Sequence, residues 1–320
     1  MNHVERFRAL MTFQPVDRLP RIEWATWWDK TLDRWRGEGL PSDLGGTFET
    51  ARYLGLDPYF QHWFSPRSQT IACADDYEAI RDELFPPHQE AMEGLRPWAA
   101  AQERGDAVVW ITLEGFFWYP RRLFGIENHL YAFYDRAELM HRINEDLTNH
   151  HCELLGRLAK VCRPTFMTFA EDMSYNHGPM LSQQLFEGFL APYYRRVIPL
   201  LKEMGTLVLV DTDGDVTQMV PWLESVGIEG VLPLERQAGV DAAALRANHP
   251  KLRMIGHYDK MVMTHGEEAM RAEFERLLPT VRTGGFLPSV DHQTPPGVSF
   301  REYKCYLRLL REFSHAMAGG

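Results

Sequence analysis

Three aspartates crowd the five-residue segment DTDGD at positions 211 to 215, directly after the apolar run LVLV. Residues i and i+2 of an extended chain point to the same side, so Asp211 and Asp213 can aim their carboxylates into one cavity. Such a pair could hold a metal ion, bind a cationic group or share a proton. The alternative is structural: Asp211 caps a following helix, and Asp213 and Gly214 form its turn.

Ionisable residues end most of the other apolar segments as well. They are Glu114, Glu171, Asp172, Glu235, Arg236, His257, Asp259, Lys260, Asp291 and His292. His292 lies in VDHQTPPG, whose two prolines stiffen the chain, and a rigidly held histidine suits a metal ligand or a general acid. His257 is the second histidine of this kind, although either ring could simply bond a neighbouring carbonyl. We therefore predict the catalytic residues to be Asp211, Asp213, His257 and His292.

A second set of residues is suited to binding a substrate. Its members are Glu171, Asp172, Arg236, Lys260, Trp27, Trp28 and Trp118. The two cations could pair with substrate carboxylates, or they could neutralise Asp259 and Glu235. The two acids could instead form a cap and a turn. The tryptophans, in EWATWWDK and GFFWYP, could wall a flat ligand, or they could pack in the core and a lid.

The elements before these residues give them a common location. Apolar segments that predict strands alternate with amphipathic segments that predict helices, a pattern typical of parallel strands with crossover helices. No glycine-rich phosphate loop follows a strand, which favours a closed (β/α)8 barrel over an open sheet. In such barrels the chemistry gathers at the carboxyl ends of the strands. The predicted strands are 107–114, 164–172, 207–211, 230–235, 252–257 and 285–290.

The length of 320 residues fits one (β/α)8 barrel, which typically needs about 250, so residues 1–320 are predicted to form a single domain. Residues 1–105 are less regular and rich in tryptophan and proline. We expect them to supply the first strand at Arg21–Trp24 and then a large excursion. A helix is predicted near 183–204, with a kink at Pro192.

Composition narrows the class of protein. A net charge of −10 with a pI near 5.7 argues against nucleic-acid binding, which favours a basic protein. The four cysteines lack the C-x-x-C spacing of zinc ribbons and do not indicate a disulfide framework. Neither a signal peptide nor a membrane span is evident. We therefore expect a cytoplasmic protein that binds a small molecule.

With these residues in view, the sequence resembles the uroporphyrinogen decarboxylase-like superfamily, which includes uroporphyrinogen decarboxylases and the zinc-dependent methyltransferases of corrinoid systems. The resemblance spans nearly the whole chain and implies a (β/α)8 barrel. The segments that carry it are ERFRALMTFQPVDRLPRIEW, FAEDMSYNHGPMLS with LFEGFLAPYYRRVIPLLKEMG, VDTDGDVTQMVPWLESVGIEGVLPLE and GGFLPSVDHQTPPGVS.

The departures from the superfamily pattern are equally informative. Porphyrin-pathway decarboxylases carry an R-Q-A-G-R-Y segment near the N-terminus that grips the substrate carboxylates, and PRIEWATWWDK stands there instead. The methyltransferase branch places zinc on an H-x-C-G segment and a later cysteine. The positions 211–214 and 290–292 correspond to these, and both thiolates are missing. Asp211, Asp213 and His292 remain a plausible ligand set for zinc or a harder divalent ion.

The resemblance and the residues support three functional hypotheses. The first is a methyltransferase or demethylase that works with a corrinoid protein or a similar methyl carrier. The second is a cofactor-free decarboxylase of a porphyrinogen-like or aromatic substrate, in which Asp211 or Asp213 stabilises a protonated ring and Arg236 or Lys260 anchors a carboxylate. The third is a non-catalytic barrel that binds a small molecule.

Overall fold

The computed structural model describes residues 1–316 as strands alternating with helices. The helices in chain order are α1 (His3–Met11), α2 (Asp29–Gly37), α3 (Thr47–Tyr53), α4 (Ala74–Leu84), α5 (Gln89–Glu103), α6 (Trp118–Phe124), α7 (Ile126–Asp135), α8 (Ala137–Leu158), α9 (Gln183–Phe189), α10 (Ala191–Glu203), α11 (Val220–Ser225), α12 (Ala242–Asn248), α13 (Glu267–Val281) and α14 (Phe300–Ala316). The strands are β1 (Tyr59–Phe64), β2 (Val108–Glu114), β3 (Phe166–Ala170), β4 (Ser174–Tyr175), β5 (Gly178–Pro179), β6 (Leu207–Asp211), β7 (Gly230–Leu232), β8 (Arg253–Tyr258) and β9 (Phe286–Val290). A short 3-10 helix covers Lys260–His265.

Six strands lie where the apolar segments predict them. They are β2, β3, β6, β7, β8 and β9. Strand β7 is shorter than expected, because Pro233 follows Leu232 and has no N–H to continue the ladder. The pairs β2–β3, β3–β6, β7–β8 and β8–β9 are parallel. The α/β fold class, with the strand–helix alternation of a (β/α)8-type barrel, is confirmed.

The prediction of a first strand at Arg21–Trp24 is wrong. This segment is not a strand, and the first strand of the described chain is β1. The segment bonds to β9 through side chains instead of a ladder: the Trp24 N–H donates to Ser289 Oγ at 3.3 Å, and its indole N–H donates to the Val290 carbonyl at 2.5 Å. Neither bond joins a backbone N–H to a backbone carbonyl, so the two bonds do not form a strand ladder.

The single kinked helix predicted near 183–204 is instead two helices, α9 and α10. They are separated at Leu190, and Pro192 lies in the first turn of α10 rather than at a kink. A proline fits there because the first helical N–H groups have no partner within the helix.

The described chain falls into two compact units. The first unit comprises residues 1–60, 102–108 and 230–316, and the second comprises 61–101 and 109–229. The single domain over 1–320 stays a prediction. No helix within residues 1–316 is long and apolar enough to cross a membrane.

Each unit has its own apolar core. In the second unit residues 109–114 of β2 are all buried, and Trp110 stacks on Phe166 of β3 with ring centroids 5.1 Å apart. In the first unit Tyr306 of α14 packs against Tyr258 of β8, at 4.9 Å between centroids. Such packing under the strands holds their carboxyl ends in place, and these ends carry the candidate residues.

Candidate functional site

Acidic residues meet at the ends of β3 and β6 in the second unit. The backbone N–H groups of Glu171 and Asp172 both donate to the carbonyl of Asp211, at 2.9 and 3.4 Å. Three candidate residues from two separate segments therefore lie side by side. This proximity follows from the parallel pairing of the two strands.

The DTDGD segment is held by the β4–β5 hairpin. Gly214 has φ +84°, and a Cβ at this position would lie 2.6 Å from the backbone of Tyr175. The Ser174 hydroxyl donates to the Asp213 carbonyl at 2.5 Å, and Thr212 Oγ1 accepts from the Met173 N–H at 3.0 Å. The hairpin thus fixes the backbone that carries the two half-buried aspartates.

The structural alternative for this segment is correct only in part. Gly214 does lie at a bend of the chain, but Asp211 does not cap the following helix, because the N-cap of α11 is Met219. The turn-stabilising aspartate is the third one: Asp215 accepts from the N–H of Thr217 at 2.9 Å. Asp211 and Asp213 therefore have no capping role at α11.

Glu171 is a fully buried carboxyl group. It accepts the backbone N–H groups of Phe116, Phe117 and Trp118 at 2.8, 2.8 and 3.1 Å, and the hydroxyl of Tyr194 donates to it as well. Burial raises the pKa of Glu171 to about 8, and the three N–H groups oppose this rise. With four donors on two oxygens, its contacts favour anchoring of the segment before α6; substrate binding stays a prediction.

Asp172 and Trp118 share one partner, Arg121 of α6. The Arg121 guanidinium donates to the carbonyl and the carboxylate of Asp172, at 2.9 and 3.1 Å, and lies 5.0 Å from the Trp118 ring. Two predicted substrate-binding residues are therefore brought together. Arg121 itself is not evident from the sequence, because it lies within a helix and not at a strand end.

Glu114, at the end of β2, belongs to a buried ion pair. Its carboxylate accepts from Ser65 and from Arg122. Burial raises the pKa of Glu114, and Arg122 opposes the rise. Nearby, His151 Nε2 bonds the Glu114 carbonyl at 2.9 Å. The sequence indicates the carboxylate by its position after an apolar run, but not its cationic partner.

In the first unit, Asp291 links the segments that follow three strands. This buried carboxylate accepts from the Lys260 ammonium at 3.1 Å, from the Lys260 N–H at 3.2 Å and from the Arg236 N–H at 3.1 Å. Burial raises the pKa of Asp291, and the charge of Lys260 opposes the rise. The salt-bridge partner of Lys260 is therefore Asp291 and not Asp259. Its role toward a substrate carboxylate stays a prediction.

His257 is fully buried, and both of its ring nitrogens face hydrogen-bonding groups. Nδ1 lies 2.7 Å from the Leu234 carbonyl, to which it donates, and Nε2 accepts from the Ala242 N–H at 3.4 Å. Arg276 also approaches Nε2 at 3.3 Å. Burial lowers the pKa of His257 to about 4. The catalytic role stays a prediction, and these contacts favour a structural one.

His292 lies half-buried beside an aromatic ring. Trp24 meets it edge-on, with ring centroids 6.2 Å apart. Trp27, in contrast, packs on Trp35 at 6.1 Å and is buried, whereas Trp28 is 48% exposed. Of the tryptophans in this stretch, the one beside a candidate catalytic residue is therefore Trp24, which the sequence does not single out.

Glu23 is a further buried carboxyl group that sequence reasoning missed. It accepts from the Ser289 hydroxyl at 2.7 Å and from the Val290 N–H at 3.3 Å, and the hydroxyl of Tyr306 donates to it. Burial raises the pKa of Glu23. A glutamate inside the apolar stretch EWATWW was the available signal. Its contacts hold the end of β9, directly before Asp291.

The four cysteines lie in helices or beside helix ends, and none of them directly follows a strand. Cys73 precedes α4, Cys152 lies in α8, Cys162 follows α8, and Cys305 lies in α14. The strand-end residues therefore offer oxygen and nitrogen ligands but no thiolate. Asp211 and Asp213 belong to the second unit and His292 to the first, and the metal site predicted from them stays a prediction.

Comparisons with known proteins agree with the α/β barrel-type fold. The family described as uroporphyrinogen decarboxylase (URO-D) matches residues 54–313. A methyltransferase from Methanosarcina mazei has a similar structure, with a TM-score of 0.67 and 13% identity, over 98% of this chain and 99% of that one. A putative vitamin-B12-independent methionine synthase from Listeria monocytogenes aligns with a TM-score of 0.50 and 11% identity, over 96% and 99% of the chains. No curated protein matches the sequence with statistical significance.

Proposed function

We propose that this chain, which belongs to the uroporphyrinogen decarboxylase family, is a methyl-transfer enzyme rather than a porphyrinogen decarboxylase. In this proposal it acts as a methyltransferase or demethylase, and a corrinoid protein or a similar carrier takes up or supplies the methyl group. The methyltransferase from Methanosarcina mazei, which shares the fold over nearly the full length of both chains, supports this choice at the level of fold.

The observation that carries the proposal is that two arginines near the N-terminus, Arg18 and Arg21, already pair with a buried aspartate. Arg18 donates from both terminal nitrogens to Asp57, at 2.8 Å each, and Arg21 lies 3.6 Å from the same carboxylate. Asp57 is only 3% exposed. Freeing these arginines for substrate carboxylates would leave a buried charge unpaired, which is costly. The resemblance places the carboxylate-gripping arginines of decarboxylases in this region, so the pairing of Arg18 and Arg21 with Asp57 favours the other branch.

The proposed metal ligands are Asp211, Asp213 and His292. Two carboxylates and an imidazole fit zinc or a harder divalent ion, and this donor set differs from the thiolate set of relatives. When bound, such an ion supplies Lewis-acid polarisation of the group that gives or receives the methyl. The contribution of the chain is preorganisation: Ser174 and Thr212 hold the segment that carries Asp213.

The first test is metal content. Protein purified without chelators is analysed by plasma mass spectrometry, together with Asp213→Asn and the control Asp215→Asn, whose oxygen can still accept from Thr217. We expect about one equivalent of a divalent ion per chain, lost in Asp213→Asn and kept in the control. If the purified protein holds no metal, or if both variants lose the same amount of metal, the proposed metal site is wrong.

The second test concerns the reaction. Metal-loaded protein is incubated with methylcob(III)alamin or cob(I)alamin and with a panel of methyl ethers, methylamines and thiols, and the cobalamin spectrum is followed. We expect interconversion of the two cobalamin forms with one class of donor or acceptor. Release of carbon dioxide from coproporphyrinogen-like or aromatic carboxylates, without any cobalamin change, would show decarboxylation instead.

A further inference from the structure

An open groove in the second unit lies between α7 and the segment that joins β5 to α9. Its cavity measures about 560 Å³. Tyr131, Phe133 and Tyr134 of α7 line one side, and Leu181 and Leu185 line the other. This volume falls within the usual range of small-ligand sites, roughly 300–1,000 Å³. We propose that this groove, which we name the α7–α9 groove, binds a small organic cation with an apolar body.

The groove presents unusually exposed aromatic rings. Tyr131 is 64% exposed and Tyr134 is 73% exposed, and Ile126 on the same helix is 50% exposed. Large apolar side chains left in water are informative when they gather in one place, because they gain free energy when a ligand covers them. The exposed aromatic faces therefore mark the groove as a binding surface rather than as a part of the core.

The charge of the groove selects the ligand. Among the described residues that line it, Glu127 is the one with a formal charge. Within residues 1–316 no ion pair neutralises this carboxylate, and no basic side chain lines the groove. Aromatic faces attract cations through their quadrupole, and a carboxylate adds direct attraction. A substituted ammonium group on an apolar body matches both features, whereas an anion matches neither.

Two of the groove-lining residues are held by contacts with the rest of the unit. Phe133 packs edge-on against Phe189, with ring centroids 5.2 Å apart, and lies parallel to Phe117 at 6.1 Å. At the other wall, Ser182 caps α9 by accepting the Leu185 N–H at 3.2 Å. The Phe133 ring and the start of α9 are therefore already in place before a ligand binds, which lowers the free energy lost in ordering this part of the groove.

The direct test compares two molecules of nearly equal shape. The cation is (4-hydroxyphenyl)trimethylammonium, and its uncharged counterpart is 4-tert-butylphenol. Binding is measured by calorimetry and by saturation-transfer NMR. We expect the cation to bind in the micromolar to millimolar range and about five-fold or more tighter than the phenol, as a cation–π and carboxylate site implies.

Three variants of the chain complete the test. Glu127→Gln removes the charge at nearly constant size and should weaken binding of the cation about five-fold, while it leaves binding of 4-tert-butylphenol unchanged. Tyr134→Ala, at a largely exposed position, should weaken binding of both molecules. Asp135→Asn, at the end of the same helix and outside the groove lining, is the matched charge control and should change neither.

Several outcomes would overturn the proposal. They are no binding of the cation at millimolar concentration, equal binding of the cation and the phenol, or equal effects of Glu127→Gln and Asp135→Asn. Circular dichroism of each variant separates loss of a ligand contact from loss of the fold. This control is needed because Glu127, in the first turn of α7, also stabilises the helix through its favourable interaction with the helix dipole.

Discussion

Replacement of His129 by phenylalanine should reduce the loss of stability in acid. His129 lies on α7, is fully buried, and packs against Phe117 and Phe133, at 4.5 and 5.0 Å between ring centroids. Neither ring nitrogen has a hydrogen-bond partner among the described residues. A phenyl ring therefore removes a proton-binding group from an apolar site without breaking a hydrogen bond.

The size of the effect follows from linkage. Burial, aided by the charge of Arg121, lowers the pKa of His129 from 6.5 to about 3. Because the pKa is lower in the folded state, the contribution of the neutral ring to stability is fully present above pH 6.5 and is lost as the pH falls toward 3. At pH 5 the unfolded state has gained about 2 kcal/mol from protonation of this one residue.

The measurement is a pair of urea denaturation curves at pH 7.5 and pH 5 for the native chain and for His129→Phe. We expect the loss of unfolding free energy between these pH values to be about 2 kcal/mol smaller in the variant. Other titrating groups, including Glu171 with its raised pKa, act in both proteins and cancel in the difference. Exposed His265, changed to glutamine, is the control.

Equal pH dependence of His129→Phe and the native chain would refute this reasoning. It would mean that the His129 ring meets water or another acceptor at low pH and gains its proton without cost. A change of the same size in His265→Gln would show that the effect arises from the unfolded state and not from burial.

Two further substitutions test the loops at the strand ends by urea denaturation. Asp291→Ala should lower the unfolding free energy by about 3–5 kcal/mol, because it leaves the Lys260 ammonium without its buried partner; a loss below about 1 kcal/mol would contradict the buried pair. Gly214→Ala should cost more than Gly239→Ala, because φ is similar, at +84° and +83°, while a Cβ would lie 2.6 Å from the Tyr175 backbone only at Gly214. Equal losses in the two glycine variants would show that the hairpin moves aside.

The strands were predictable because their signal is local. Each of the six confirmed strands is a short, mainly apolar run that ends on, or directly before, an ionisable residue or a proline, as LVLVD does at Asp211. Parallel pairing then brings the ends of neighbouring strands to one edge. For this reason the proximity of Asp211 to Glu171 is consistent with the strand pattern of the sequence.

The N-terminal segment shows the limit of such local signals. Arg21–Trp24 alternates charged and apolar residues, a pattern compatible with a strand, but Trp24 donates its hydrogen bonds to Ser289 and Val290, more than 260 positions away. Glu23 is buried by the same association. A local sequence pattern does not show which distant residue accepts a hydrogen bond. The wrong prediction of a strand at Arg21–Trp24 and the failure to identify Glu23 therefore have the same cause.

The sequence by itself determined the α/β alternation and the types of residue that end the strands, because both depend on hydrophobic periodicity over a few residues. Only the tertiary structure decided the partners of those residues. Lys260 pairs with Asp291 rather than with the adjacent Asp259, and Glu171 receives three N–H groups from the segment before α6. The physical reason is that a buried charge takes whichever partner the packing places within hydrogen-bonding distance, and packing joins segments that lie far apart in the chain.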